Sequence, residues 1–163
     1  MQNNLITRLP QLLPLAIDWA QDMEAHCLVQ GKPLAFWQKA DAQSVSVRDP
    51  DRVRICLVDR VPQPNHSELV AAAVEIRFLG PETVGLTLGY GIFIRRTHAG
   101  LRWLLRHELR HVAQCEQAGG LNGFLTDYLG QVARLGYDQA PLEVDARSCE
   151  QRSHGNHKKG KSS

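Results

Sequence analysis

The chain has 163 residues, of which 43% are hydrophobic and 22% charged, and its formal net charge is +2 at pH 7. This length and composition predict one globular α+β or similar domain whose core needs no disulfide support. So small a net charge does not favour nucleic acid as a partner, and no run of about 20 apolar residues predicts a membrane span.

The two ends of the chain and its cysteines set the expected organisation. We expect a single domain over residues 1–152, helical in its first 50 or so residues, and a disordered basic tail over residues 153–163. No nucleic-acid motif supports the weaker hypothesis that this tail contacts DNA. We also find no export signal, which predicts a cytoplasmic protein with four reduced, widely spaced thiols: Cys27, Cys56, Cys115 and Cys149.

The first half of the chain predicts a helix, an ambiguous segment, a strand and a second helix. Helical periodicity over residues 11–30 predicts a helix that Gly31 and Pro33 end. Residues 34–50 fit no single pattern, and residues 53–58 read as a buried strand. We expect Ser67 to cap a helix that runs to about residue 79, where Gly80 and Pro81 stop it.

The second half predicts a strand or hairpin and then three helices. Residues 84–95 are rich in β-branched and aromatic side chains, and the glycines within 89–91 predict a bulge or bend. Thr97 is the expected cap of a helix over residues 99–117, and Gly119 and Gly120 follow its end. Further helices are expected over residues 121–135 and 141–152, which makes the predicted class α+β.

One motif in this part of the chain carries chemistry. Residues 107–111 read His-Glu-Leu-Arg-His, so on a helix His107 and His111 lie one turn apart on the same face and can hold one metal ion. With about 100° per residue, His111 falls roughly 40° from His107, and Glu108 falls roughly 100° away. Glu108 is thus placed to reach a water on the metal without binding the metal itself.

The rest of this helix predicts where the motif sits in the fold. Leu101, Leu105, Leu109 and Val112 form an apolar stripe beside the metal face, and Arg102, Arg106 and Arg110 are expected on the opposite side, in water. The motif is therefore expected at the border of the core. The plain alternative is that both histidines are surface or capping residues and that Glu108 pairs with an arginine.

A catalytic zinc site needs a third protein ligand. Glu143, in the first turn of the last predicted helix, is the best candidate. The small Ala146 three residues on would allow close approach to the metal helix. Spacing alone leaves other acidic residues open: Asp127, Asp138, Asp145 and Glu150. Cys115 lies one turn beyond His111, but we interpret it as a buried thiol.

A resemblance bears on this choice. His-Glu-Leu-Arg-His-Val-Ala-Gln at 107–114, then Gly-Tyr at 136–137 and Pro-Leu-Glu-Val-Asp-Ala at 141–146, resemble the small gluzincin-type zinc metallopeptidases. In that group HExxH is paired with a Glu on a following helix. The resemblance implies Zn²⁺ as cofactor, His107, His111 and Glu143 as its ligands, and Glu108 as the catalytic residue.

The same resemblance implies a zincin-like fold, in which a short sheet packs on the motif helix and a Glu-bearing helix follows. It covers residues 101–147 well, and residues 84–95 fit more loosely as the strand that borders the cleft. The first 80 residues match no family that we can name. Arg147 stands where several relatives have an Asp that orients a ligand histidine, so that orienting role is left without a residue.

The expected activity is hydrolysis of peptide bonds in a peptide or protein substrate. Zinc lowers the pKa of a bound water to about 7, and Glu108 would take its proton and pass it to the leaving amine. Tyr137 is the candidate donor to the oxyanion. The alternative is a zinc-stabilised, non-catalytic protein-binding module of the same fold; the intact Glu108 favours the enzyme, since a structural zinc needs no adjacent base.

Overall fold

The computed structural model describes residues 2–151, and the predicted tail at 153–163 lies outside them. Within that span the chain forms six α-helices and a small four-stranded mixed sheet, which confirms the α+β class. None of these helices is long and apolar enough to cross a bilayer. The elements are α1 (Gln2–Gln30), β1 (Lys32–Pro33), α2 (Phe36–Ser44), β2 (Arg54–Val58), α3 (Ser67–Glu75), β3 (Gly85–Leu88), β4 (Gly91–Arg95), α4 (Arg102–Gln117), α5 (Leu121–Leu135) and α6 (Pro141–Ser148).

The sheet has the strand order β1-β2-β4-β3, so β3 lies at one edge. β2 runs parallel to β4, with Ile55 opposite Ile92, and β3 runs antiparallel to β4, with Thr87 opposite Ile92. The bend expected at residues 89–91 is the hairpin turn between β3 and β4. Gly89 has a φ of 65° there, a backbone conformation that glycine adopts at little cost.

The central strand β4 separates two regions of the core. Its side chains alternate, so Phe93 packs with α1 and α5 while Ile92 and Ile94 pack with α2 and α4. On that second side Leu109 and Val112 of α4 are fully buried against the sheet. The predicted apolar stripe of α4 is therefore confirmed at these positions, and α4 is fixed between the sheet and the surface helix α2.

The first helix is longer than its periodicity predicts. It begins at Gln2 and continues through Pro10 and Pro14, each of which removes a main-chain donor from the helix. Leu5 and Leu12, however, are buried in a cluster with side chains of α3 and α5. This packing holds the first turns in helical form in spite of the prolines.

Four of the expected helix ends are wrong. Ser67 is the first residue of α3 rather than its cap, and no side chain caps this helix. α3 ends at Glu75, four residues early, because Arg77 takes a left-handed φ of 60° that a helix cannot continue through. Thr97 does not cap α4, because a 3₁₀ turn occupies Arg96–His98 and α4 begins only at Arg102. The Thr97 hydroxyl instead lies 2.8 Å from Nδ1 of His98. α6 ends at Ser148 rather than at residue 152.

The solvent-facing position expected for the α4 arginines is wrong for Arg106 and Arg110, whereas the Arg102 side chain is 46% exposed, as expected. Arg102 and Arg106 both donate to the carboxylate of Asp41, which α2 places against this face, and the Arg106 side chain is only 6% exposed. Arg110 donates to Asp145 at 2.7 Å. A helical wheel assigned these residues to water because it could not register a buried carboxylate on another helix.

Candidate metal centre

The histidines of α4 and the glutamate of α6 come together at the packing of these two helices. His107 and His111 are both buried, and their rings lie 4.9 Å apart because one helical turn stacks them on the same face. Glu143, in the first turn of α6, is 2% exposed and faces both rings. Ala146 is fully buried, as close packing of α6 against α4 requires.

The donor atoms of these three side chains are close together. The two Nε2 atoms of His107 and His111 are 3.2 Å apart. Glu143 Oε1 lies 3.1 Å from Nε2 of His111, and Oε2 lies 3.2 Å from Nε2 of His107. Two ligands of a tetrahedral zinc ion are roughly 3.3 Å apart, since each bond is about 2.0 to 2.1 Å long. The spacing of the donor atoms therefore suits zinc.

The hydrogen bonds on the far side of each ring indicate which nitrogen carries the proton. His107 Nδ1 lies 3.0 Å from Glu150 Oε1, and His111 Nδ1 lies 2.7 Å from Gln114 Oε1. Both partners are acceptors, so each Nδ1 donates a proton to its partner and each Nε2 faces the candidate metal site. The Gln114 amide is fixed in this sense because its Nε2 donates to Leu142 O and to Asp145 Oδ2.

The electrostatics of the group favour a cation between these atoms. Burial disfavours a charged His107, but the hydrogen bond to Glu143 and the charges of Glu108 and Glu143 outweigh it and raise the pKa of His107 to about 9. Burial likewise opposes ionisation of Glu143, yet both histidines hold its pKa well below the ordinary range. Glu143 Oε2 is buried, and a polar neighbour among the residues described is His107 Nε2, whose geometry toward it is poor for a hydrogen bond. A zinc ion would replace the proton that His107 shares with Glu143 and would be held by Glu143 and both Nε2 atoms.

Tyr128 supports the carboxylate, and sequence reasoning missed it. Tyr128 lies on α5, and its buried hydroxyl donates a hydrogen bond of 2.7 Å to Glu143 Oε1. Burial and the charge of Glu143 raise the pKa of Tyr128 well above its usual value, so the phenol stays a donor. In the sequence this tyrosine is one more large side chain on the apolar face of a helix, and no spacing links it to Glu143.

Glu108 lies beside the metal group, held by the edge strand β3. Thr87 Oγ1 donates to Glu108 Oε2 at 2.6 Å, and both residues are buried. Gly85 leaves room for the other oxygen, since a Cβ at that position would lie 2.7 Å from Glu108 Oε1. The carboxylate is thus positioned from outside its own helix, which the motif alone does not reveal.

A cavity of about 740 Å³ opens over the group, lined in part by His107, His111, Glu108 and Glu143. Tyr137 is in its wall. Burial and the charges of Glu143 and Glu108 raise the pKa of Tyr137 above its ordinary value, so it keeps a proton to donate. These features are compatible with the role expected for Tyr137 but do not test it.

The other candidate ligands have different places. Asp127 is exposed on α5, and Asp145 is engaged with Arg110 and Gln114. Glu150 holds His107 from behind, and Asp138 lies in the outer wall of the cavity. Among residues 2–151, the group of side chains able to hold a metal ion consists of His107, His111 and Glu143, with ligand atoms within 4.8 Å of one another. Cys115 is a buried thiol outside this group.

Comparisons of the chain with models of known protein families, with curated proteins and with solved structures found no match. The resemblance to gluzincin-type peptidases and the zincin-like arrangement of the fold therefore stay predictions.

Proposed function

We propose that this protein is a zinc-dependent hydrolase of zincin-like fold that cleaves peptide bonds. The observation that carries the proposal is the convergence of His107, His111 and Glu143, whose ligand atoms lie within 4.8 Å of one another, with the Glu108 carboxylate beside them in the same cavity. A zinc ion bound only for stability needs neither an adjacent carboxylate nor an open cavity.

Each residue has a defined task in this mechanism. Zinc, when bound, acidifies a water and polarises the substrate carbonyl. Glu108 accepts the proton of that water and later donates it to the leaving amine. Thr87 holds one oxygen of Glu108, so the other stays available for this transfer. Tyr137 donates a hydrogen bond to the developing oxyanion.

The edge strand β3 supplies a means of holding the substrate. It has a neighbour on one side only, and its residues Gly85, Leu86 and Thr87 line the cavity. An extended peptide can add to such an edge through main-chain hydrogen bonds. This places the peptide beside Glu108, and the proposed substrate class is accordingly an extended segment of a peptide or protein.

The replacement Glu108→Gln tests the proposal. We expect the variant to bind one zinc per chain, as the wild type does, and to cleave a mixed peptide library about 100-fold or more slowly, because the general base is gone. His107→Ala is the matched control, since it should lose the zinc as well as the activity. Zinc content is measured by mass spectrometry and cleavage by identification of the product termini. Unchanged cleavage by Glu108→Gln would remove the assigned mechanism.

One feature favours the non-catalytic alternative. Phe36 and Trp37 at the start of α2 are 91% and 53% exposed, and adjacent exposed aromatic side chains are typical of protein contacts. Two results together would favour a non-catalytic protein-binding module over an enzyme. The zinc-loaded wild type would cleave no peptide in the library, and Phe36→Ser would weaken binding to a protein partner.

A further inference from the structure

Arg147 adds a positive charge to the wall of the cavity. It follows Glu143 by four residues on α6, so the two side chains share one face of the helix, about one 5.4 Å turn apart. Arg147 is half-buried and lines the cavity together with His107, Glu143 and Tyr137.

No carboxylate neutralises Arg147 within residues 2–151. Its Nη2 donates to the main-chain carbonyl of Asp138, which is neutral. The Asp138 carboxylate lies instead 3.9 Å from Arg77 Nη1, and both of these side chains are largely exposed. With this carbonyl as its one hydrogen-bond partner among the residues described, the Arg147 guanidinium keeps several donors for an anion.

Three of the glutamates that line the cavity with Arg147 are already engaged. Glu143 faces the two histidines, Glu108 accepts from Thr87, and Glu150 accepts from His107. The remaining glutamate of the cavity wall, Glu82, is exposed on the loop before β3. None of these four glutamates pairs with Arg147, so an anion brought by a ligand is the partner that its free donors suit.

We infer that Arg147 binds a carboxylate of the substrate and so determines specificity. The inference rests on the proposed function. One extended residue spans at most about 3.6 Å, and Arg147 lies about one helical turn from the zinc ligand Glu143, so the carboxylate belongs one or two residues from the cleaved bond. It is either the C-terminal carboxylate of a peptide or an acidic side chain near that bond.

Binding of zinc-directed probes tests the inference without any need for turnover. The probes are hydroxamates of increasing chain length that end in a carboxylate, each paired with its neutral carboxamide. Titration calorimetry on the zinc-loaded full chain should show about 10-fold tighter binding of the acid, because a guanidinium–carboxylate pair is a charge-assisted hydrogen bond. The preference should vanish in Arg147→Gln and return in part in Arg147→Lys.

Two further variants separate this role from a structural one. Arg134→Gln removes an exposed arginine of α5 and should leave the preference intact. Arg147→Glu should reverse the preference toward amine-terminated hydroxamates, a change that loss of the bond to Asp138 does not produce. Equal affinity of the wild type for acid and carboxamide overturns the inference while the zinc centre stands. A preference that survives in Arg147→Gln overturns it too.

Peptide substrates distinguish the two sources of the carboxylate. The wild type is given peptides with a free or an amidated C terminus, and peptides in which Asp or Glu replaces Asn or Gln beside the cleaved bond. A kcat/KM ratio of about 10 for one pair, lost in Arg147→Gln, identifies the source. If peptides are cleaved with neither ratio above one, the inference fails and the proposed hydrolase remains. Absence of zinc binding would instead refute the metal centre itself.

Discussion

His107 presents Nε2 to the cation site only because another group occupies Nδ1. Glu150 does this for His107, and Gln114, itself held by Asp145, does it for His111. Such partners fix the tautomer and the ring orientation, and their loss commonly reduces metal affinity by about 10- to 100-fold. The sequence left the residue that orients the ligand histidines unassigned, because Arg147 replaces the expected Asp. In the structure Glu150 orients the ring of His107 and Gln114 orients that of His111.

Glu150→Ala is therefore expected to weaken zinc binding by about 10- to 100-fold. Without an acceptor at Nδ1, the His107 ring is free to rotate and to place its proton on Nε2. Glu150→Gln should restore part of the affinity, because its amide oxygen can accept the same bond. Affinity is measured by competition with a chromophoric chelator. Asp127→Ala, which removes an exposed carboxylate, is the control, and equal losses in both variants would contradict the assignment.

At this scale the sequence predicts the metal group but not its surroundings. His107 and His111 follow from helical spacing, and the structure brings Glu143 to them while its four rivals lie elsewhere. Tyr128 and Thr87 reach the site from other elements through single hydrogen bonds. No periodicity or motif encodes such contacts, because they depend on how α5 and β3 pack against α4.

The contact between β3 and α4 is a feature of elements rather than of one residue. β3 runs along the motif helix, and Gly85 touches the carboxylate of Glu108 where any other residue would displace it. The backbone at Gly85 needs no left-handed conformation. The requirement for glycine at this position is therefore one of space alone.

Gly85→Ala is expected to lower kcat about 10-fold or more and to leave zinc content unchanged. The new methyl group would lie 2.7 Å from Glu108 Oε1 and push the carboxylate from its position, while the metal ligands are untouched. Gly100→Ala is the matched control, since no atom lies within 4 Å of its added Cβ. Full activity in Gly85→Ala, measured on the peptides cleaved by the wild type, would show that this position of Glu108 is not required.

The docking of α2 on α4 depends on a buried ion group. Asp41 is 2% exposed at its side chain and accepts from Arg102 and Arg106. The hydrogen bond from Arg102 lowers the pKa of Asp41 below its usual value, although burial acts in the opposite direction. Because the folded-state pKa is lowered, this contribution to stability is complete above about pH 4 and is lost as the pH falls further.

Asp41→Asn is expected to reduce the free energy of unfolding at neutral pH by about 3 to 5 kcal/mol, since Arg106 then stays buried without its countercharge. The variant should also lose less stability than the wild type on acidification below pH 4, because the titrating group is absent. Urea unfolding at several pH values measures both effects. The exposed pair of Asp59 and Arg96 provides the control, and Asp59→Asn should cost at most about 1 kcal/mol.

Most element positions were predictable, and the errors share a cause. Strong local sequence patterns predict the hairpin at residues 85–95 and the helix α5 at Leu121–Leu135. Glycines mark the boundaries of α5, which begins after Gly120 and ends before Gly136. Two predictions failed where the residue type suggests a different environment. Arg106 is charged, which favours water, and the prolines of α1 are of a residue type that is disfavoured in the interior of a helix. In each case packing against a distant element, α2 or α3, outweighs the local preference.

At the scale of the whole molecule, a bound zinc would add a further link between α4 and α6, which hydrogen bonds of Arg110 and Gln114 already join. α4 is fixed on the sheet by fully buried side chains. α6, by contrast, has eight residues, of which Glu143 and Ala146 are the buried ones. A helix this short is marginal by itself and depends on tertiary contacts. Zinc would link α6 to α4 through Glu143, so α6 is expected to be among the first elements to open when zinc is removed.

Hydrogen exchange with and without zinc tests this coupling. We expect zinc to slow exchange of the amides in α6 and to leave those of β2 and β4 nearly unchanged below global unfolding, because the sheet is not bonded to the metal group. A ligand at about 100 times its Kd stabilises the form that binds it by about 2.7 kcal/mol, which corresponds to about 100-fold slower exchange in α6. Glu143→Ala should abolish the effect while Asp127→Ala preserves it. Protection spread evenly over α6 and the sheet would instead mean that α6 opens only when the entire domain unfolds.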